Sequence, residues 1–155
     1  MRRWGVTLAI VLLLAGCVAG RATPNLASGP EGSRYARDAA DGWVKPTPAA
    51  YLQLHLNKTA RAETYSVFYG IGGEKIVEAN GVLSELRWRA RDDQVCEERL
   101  GASGEICADG TSALMRDATV RVYDPAGALL VEFVVLDGDP FELAATARRE
   151  RRAGW

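Results

Sequence analysis

The sequence predicts an α+β fold, built as a small antiparallel β-sheet or half-barrel with short flanking helices. Short segments rich in β-branched and aromatic residues follow one another from residue 63 onward, and such residues are enriched in strands. Tight-turn signals separate these segments, most clearly at Asn80-Gly81. Helix-start signals at Thr47-Pro48 and Asp139-Pro140 flank them. The pattern therefore favours about six strands between two helices.

The composition is that of an ordinary globular chain. Its 155 residues are 48% hydrophobic and 25% charged, which excludes disorder throughout. The 19 basic and 20 acidic side chains nearly balance, whereas a nucleic-acid-binding module carries a basic stripe. One histidine and three cysteines leave little material for a metal site or a histidine-based catalytic group. We therefore expect no nucleic-acid partner, no cofactor and no bound metal.

The N-terminus has the pattern of an export signal. A basic start, Arg2-Arg3, precedes an apolar run over residues 4–15. This run is shorter than the roughly 20 residues that span a bilayer, but it has the length of a signal-peptide core. The run ends in a tetrapeptide that resembles the bacterial lipobox, Leu14-Ala15-Gly16-Cys17. The alternatives are an uncleaved anchor helix or an ordinary secretory peptide in which this cysteine occurs by chance.

The lipobox resemblance implies a bacterial lipoprotein. Residues 1–16 would be removed as the signal peptide, and Cys17 would carry a diacylglyceryl group and a further acyl chain such as palmitate. Two or three acyl chains hold a protein stably on a membrane, whereas one gives marginal binding. Val18 follows the cysteine in place of the aspartate typical of inner-membrane retention. The resemblance therefore implies an outer-membrane lipoprotein that faces the periplasm, with the inner membrane as the less favoured location.

After the lipidated cysteine, residues 17–46 have the composition of a flexible tether. They are rich in glycine, proline, alanine and serine and contain few large apolar side chains. Tyr35, Trp43 and Val44 are exceptions, and their docking on the domain is the alternative to the free spacer that the composition favours. The β-rich periplasmic domain is predicted to occupy residues 47–155.

The two remaining cysteines, Cys96 and Cys107, are expected to form a disulfide. Export places them in an oxidising compartment, where a leftover pair usually bonds. A bridge over so short a loop would stabilise the fold by roughly 3 kcal/mol through chain entropy. The alternative is a reactive or metal-binding pair, but the spacing is not Cys-x-x-Cys and no histidine lies nearby.

The predicted elements follow one another closely along the domain. Residues 49–56 favour a short helix, although alternating leucines also allow a strand. A second helix is predicted over residues 140–149, capped by Asp139 with Glu142 three residues on. The most apolar segment, 128–136, is expected to be a central strand buried on both faces. The predicted strands are 63–69, 74–79, 82–90, 118–123 and 128–136, and the short segments Val95-Cys96 and Ile106-Cys107 would pair with each other if the disulfide forms.

One basic stripe is a candidate anion-binding surface. Arg87, Arg89 and Arg91 alternate along a predicted strand and therefore share one face. Such a stripe could bind a lipid headgroup or a glycan. The alternative is an exposed face whose charge is balanced by Glu85 and neighbouring acids. Val82, Leu86 and Trp88 alternate with these arginines and are expected on the opposite, buried face.

The sequence offers few catalytic candidates. His55 lies among leucines and is expected to pack rather than react. Asp137 and Asp139 are explained by a turn and a helix cap, and Glu97-Glu98 by a solvated loop. We therefore expect a lipid-anchored cell-envelope protein with a non-catalytic binding or structural role, whose partner is an envelope protein or peptidoglycan. The alternative is a small envelope hydrolase or metal-dependent enzyme that uses the acidic loop residues.

Overall fold

The computed structural model describes residues 30–98 and 103–154 of the chain. Within these ranges the protein forms nine strands and three short helices, so the fold is mostly β. The elements in chain order are α1 (Arg34–Ala40), α2 (Pro48–Gln53), β1 (Lys58–Arg61), β2 (Tyr65–Tyr69), β3 (Glu74–Ala79), β4 (Val82–Arg91), β5 (Gln94–Glu98), β6 (Glu105–Ala108), β7 (Ala113–Arg116), β8 (Thr119–Tyr123), β9 (Leu129–Asp137) and α3 (Leu143–Ala153).

The nine strands form one antiparallel sheet in the order β6-β5-β4-β3-β2-β1-β9-β8-β7. Two meanders, β1–β6 and β7–β9, are joined where β1 pairs with β9, with Lys58 opposite Asp137. Only residues 109–112 connect the two edge strands β6 and β7. Even fully extended, this connection spans at most about 18 Å, so the sheet must curl on itself. The expected half-barrel is confirmed.

The concave face of the sheet contains the main core. Strand alternation directs one side-chain set inward, and α2 closes the interior with Tyr51, which is 6% exposed. Gly110 makes this closure possible, since a side-chain carbon there would lie 2.5 Å from the Tyr51 ring. The buried members of this cluster are Tyr51, Ala60, Ala62, Val67, Tyr69, Val77, Trp88, Val95, Ala113, Val120, Val122 and Phe133.

The predicted start of α2 is confirmed. The Thr47 hydroxyl accepts a hydrogen bond from the Ala50 amide at 3.1 Å, and Pro48 occupies the first turn. The helix ends at Gln53 rather than at residue 56. Lys58, in a stretch where no strand was predicted, begins β1, which pairs with β2 on one side and β9 on the other.

Helix α3 packs on the convex face. Leu143, Ala144 and Ala147 contact Phe68 of β2 and Ile76 of β3. The helix begins three residues later than predicted, and Glu142 adopts a left-handed conformation without capping it. Asp139 still acts at the helix start, because its two carboxylate oxygens accept hydrogen bonds from the Leu143 and Ala144 amides, each at 2.8 Å.

The predicted tether is wrong for residues 30–46, which fold onto the convex face of β7 and β8. Tyr35 and Trp43, only 2% and 6% exposed, pack with Leu114 and Tyr123. Val44 docks through its backbone alone, paired with Met115, and its side chain is 64% exposed. Two buried aromatic side chains thus anchor a segment of otherwise tether-like composition. Residues 17–29 lie outside the described residues.

A buried carboxylate fixes α1 to the sheet. Asp38 accepts hydrogen bonds from Arg34 of α1 and from the Tyr123 hydroxyl at 2.7 Å, and it pairs with Arg121 at 3.0 Å. Burial by itself would raise the pKa of Asp38, but the hydrogen bonds from Arg34 and Tyr123 and the charge of Arg121 bring it below its ordinary value. Asp38 is therefore ionised and fully partnered.

Strand β9 is covered on one face only, which corrects the expectation of a strand buried on both. Phe133 points into the core at 8% exposure, whereas Leu129, Leu130 and Val134 are 38 to 40% exposed. The described helices pack elsewhere on the convex face, α1 on β7 and α3 on β3 and β4. None of the helices in residues 30–98 and 103–154 is long and apolar enough to cross a membrane.

The first half of β4 is also less buried than predicted. β4 pairs with β3 over residues 82–87 and with β5 over residues 88–91, so its first half borders an opening in the sheet. Trp88 is 5% exposed, whereas Val82, expected on the same buried face, is 65% exposed. The opening lies beside α3 and shapes the candidate site.

Candidate functional site

The structure contains the predicted disulfide between Cys96 and Cys107. The two residues are direct partners in the β5–β6 ladder, and Cys96 is fully buried. Together with Glu105 they form the one group of three metal-ligating side chains in the described ranges. Because the sulfur atoms are bonded to each other, the group offers only the Glu105 carboxylate to an ion. The bridge is therefore a structural element of the sheet.

The three arginines of the predicted stripe have different surroundings. Arg89 donates two hydrogen bonds to Glu105, at 2.9 and 2.8 Å, and its hydrogen bonds lower the pKa of that carboxyl. Arg91 lies 3.8 Å from the Cys107 sulfur, next to the disulfide. Arg87 lines a groove beside α3, whose lining does not include Arg89 or Arg91. The stripe is therefore not one continuous anion site.

Arg87 lines an open groove of about 510 Å³ between β4 and α3. Small-molecule sites usually fall between about 300 and 1,000 Å³, so the groove has the size of a ligand site. Ile76, Leu86 and Ala144 give it an apolar part, and ionic side chains surround them. The full lining is Glu74, Ile76, Glu85, Leu86, Arg87, Glu98, Ala144, Arg148 and Arg151.

Two guanidinium groups of the groove are available to a ligand. Arg151 is engaged, since its Nε lies 3.0 Å from Glu85. Glu98 is engaged as well, because it accepts a hydrogen bond from the Arg87 backbone amide at 2.9 Å. Arg87 and Arg148 take part in none of the ion pairs found among the described residues, and the same is true of Glu74, which lines the groove with them. Together they can bind one or two anionic groups.

A second polar cluster lies inside the half-barrel. The Lys75 ammonium is 2.7 Å from a Glu97 oxygen, and the Tyr69 hydroxyl donates to the same oxygen at 3.1 Å. Glu97 is 7% exposed, so its expected place in a solvated loop is wrong. The burial of Glu97 could have been predicted from strand alternation, because Glu97 lies two residues after Val95 on β5 and both side chains therefore point to the same, inward face.

His55 packs beside this cluster, as expected from its leucine neighbours. Its Nδ1 lies 2.9 Å from the Tyr51 carbonyl, and its ring meets Tyr69 edge-on at 4.7 Å. Burial lowers the pKa of His55 below its ordinary value of 6.5. The adjoining cavity has a volume of about 60 Å³. That is far below the roughly 300–1,000 Å³ of small-molecule sites, so the cavity is too small for a substrate.

The acidic residues of the alternative enzyme hypothesis are placed apart. Asp137 forms an ion pair with Lys58 on the surface, and the hydrogen bond from Lys58 lowers the pKa of Asp137. Asp139 caps α3. His55 is inside the half-barrel. These three side chains do not converge on one cleft, so their placement gives the hydrolase hypothesis no support.

The groove was only partly predictable, because Arg87 and Arg148 lie 61 positions apart and meet through the packing of α3 on the sheet. Comparison with known proteins adds no assignment, since no family model, curated protein or solved structure matches the chain.

Proposed function

We propose that the protein is a lipid-anchored component of the bacterial cell envelope, whose half-barrel binds an anionic ligand in the periplasm without catalysing a reaction. The tetrapeptide ending at Cys17 supports the anchor. The bonded pair Cys96–Cys107 is in keeping with an oxidising compartment, which supports export.

The observation that carries the binding role is a pair of guanidinium groups in the groove beside α3, Arg87 and Arg148, which have no ion-pair partner within residues 30–98 and 103–154. A guanidinium is a planar fork that binds carboxylate or phosphate through two parallel hydrogen bonds. The neighbouring apolar surface of Ile76, Leu86 and Ala144 can contact the uncharged part of the same ligand. The groove therefore suits a ligand with both an anionic and an apolar portion.

Peptidoglycan is the partner we favour over a soluble envelope protein. Its stem peptides carry carboxylates next to aliphatic side chains, which is the chemistry that the groove presents. A domain tethered to the outer membrane by residues 17–29 would also face this polymer.

The test is co-sedimentation of the protein with purified peptidoglycan sacculi. A charged hydrogen bond contributes about 1.5–3 kcal/mol, so we expect Arg87→Ala/Arg148→Ala to weaken binding at least about ten-fold. Arg91→Ala/Arg152→Ala removes the same charge outside the groove lining and should leave binding nearly unchanged. Equal weakening by both variants would show unspecific charge attraction. Failure of the wild type to sediment with sacculi would exclude peptidoglycan.

A further inference from the structure

The groove beside α3 is lined by equal numbers of acidic and basic side chains. Its lining includes three carboxylates and three guanidinium groups, so their formal charges cancel. A cleft that attracts a simple anion is lined by an excess of positive charge. A neutral lining is complementary instead to a ligand group that carries both signs of charge. The six side chains are those of Glu74, Glu85, Glu98, Arg87, Arg148 and Arg151.

Glu74 is the carboxylate of this groove that is available to a ligand. Glu85 is paired with Arg151, and Glu98 accepts the hydrogen bond from the Arg87 backbone amide. Glu74 takes part in none of the ion pairs found among the described residues. One carboxylate therefore lies unpaired in the same groove as the two available guanidinium groups.

Glu74 and Arg87 are direct partners in the β3–β4 ladder. Residues in such positions have Cβ atoms roughly 4.5–5.5 Å apart, so their side chains could pair. The Glu74 carboxylate lies instead against the turn before β3, where a side-chain carbon at Gly70 would be 2.3 Å from Oε1 and one at Gly72 would be 2.7 Å from Oε2. Two opposite charges are therefore neighbours without an ion pair between them, and a single ligand group can bridge them.

We propose that the groove binds a zwitterionic end group, an ammonium and a carboxylate on one carbon, with the ammonium at Glu74 and the carboxylate at Arg87 and Arg148. This inference rests on the proposed function and narrows its ligand. A peptidoglycan stem peptide whose diamino acid ends in a free amino acid group presents these two charges. The aliphatic chain of that residue would lie against Ile76 and Leu86. Cross-linking acylates the amine, so the site would distinguish free stem ends from cross-linked ones.

The experiment compares co-sedimentation with purified sacculi before and after acetylation of their free amines. Acetylation converts each ammonium into a neutral amide and leaves the carboxylates in place. We expect it to weaken wild-type binding about ten-fold, because it removes a charge-assisted hydrogen bond to Glu74. This measurement needs no substitution, so it tests the inference whatever the stability of the variants.

The substitution Glu74→Gln assigns the effect to the groove. It keeps the size of the side chain and removes its charge, so it should weaken binding to untreated sacculi about ten-fold and make binding insensitive to acetylation. Glu63→Gln is the matched control, since Glu63 is exposed, lies outside the groove lining and takes part in no ion pair among the described residues. It should behave as the wild type. Thermal melting checks that both variants fold.

The outcomes separate this inference from the proposed function. Failure of the wild type to sediment with untreated sacculi contradicts both. Binding that depends on Arg87 and Arg148 but responds neither to acetylation nor to Glu74→Gln leaves the proposed function in place and overturns the zwitterionic ligand. An equal response of the wild type and Glu74→Gln to acetylation shows that the amines act outside the groove, which also overturns it. A response confined to the chains that retain Glu74 supports it.

Discussion

Inside the half-barrel, Lys75, Glu97 and Tyr69 are only 5 to 7% exposed and satisfy one another's polar groups. An isolated charge there would be strongly destabilising, but the ion pair and the tyrosine hydroxyl provide each other with partners. Burial and the nearby Glu97 charge raise the pKa of Tyr69 well above its ordinary value. The hydroxyl therefore remains a donor across the physiological pH range, which keeps the cluster in one arrangement.

His55 makes the stability of the domain depend on pH. Its pKa is lowered in the folded state, so the unfolded chain binds more protons as the pH falls through 6.5. The stabilising contribution of neutral His55 to the free energy of unfolding is therefore fully present above pH 6.5 and is lost as the pH falls below that value. We expect the melting temperature of the wild type to fall between pH 7.5 and 5.5, and that of His55→Phe to change little. The measurement is thermal unfolding by circular dichroism.

The quantity compared is the slope of melting temperature against pH in the wild type and in His55→Phe. A loss of stability that is equal at all pH values lowers the melting temperatures of the variant without changing this slope. His55 is the only histidine of the chain, which makes it the natural source of a transition in this window. An unchanged slope in His55→Phe would show that another group is responsible.

Local chemistry was predictable at the residue scale, and long-range pairing was not. Thr47 and Asp139 hydrogen-bond within five residues of themselves, so the sequence around them predicts their roles. Lys75 and Glu97 lie 22 positions apart, and nothing local to either residue indicates the other. The same holds for Arg87 and Arg148 of the candidate site.

At the scale of elements, the segment that contains α1 and Trp43 is held on the sheet by contacts that its tether-like composition does not suggest. Trp43 lies beneath two guanidinium groups, with Arg121 at 3.9 Å and Arg116 at 4.6 Å from the ring centre. Cation–π contacts of this kind add to the burial of the ring. The segment over residues 30–46 therefore belongs to the domain.

We expect Trp43→Ala to lower the free energy of unfolding by about 3–5 kcal/mol, because it removes a large buried side chain. Val44→Ala, at the adjacent and 64% exposed position, should change it by less than about 0.5 kcal/mol. Urea unfolding of both variants measures the difference. Similar small effects would mean that residues 30–46 contribute little to the fold.

The elements that sequence patterns missed are the short ones. β1 and β7 contain four residues each, and the β7 sequence, Ala-Leu-Met-Arg, favours helix by intrinsic propensity. β7 is a strand because it pairs with β8 on one side and with Val44 on the other. Longer segments with strong turn signals, such as the hairpin at Asn80-Gly81, formed as predicted.

At the scale of the whole molecule, the proposed anchor gives a direct prediction about location. Cys17→Ser removes the thiol that would receive the lipid, so the protein should move from the membrane fraction to the soluble fraction. Immunoblots of fractionated cells measure the distribution. Arg87→Ala/Arg148→Ala is the control, since it alters the groove and leaves the anchor intact. Membrane retention of the serine variant after a high-salt wash would contradict lipidation.

The ladder between β1 and β9 also determines when the protein can finish folding. Lys58 and Asp137 face each other across this ladder although 79 positions separate them, and closing so long a loop is slow. The hairpins of each meander can form as soon as their own residues are available. The sheet cannot close until β9 is available to pair with β1. A chain that crosses a membrane N-terminus first therefore completes its fold only after nearly all of its residues have crossed.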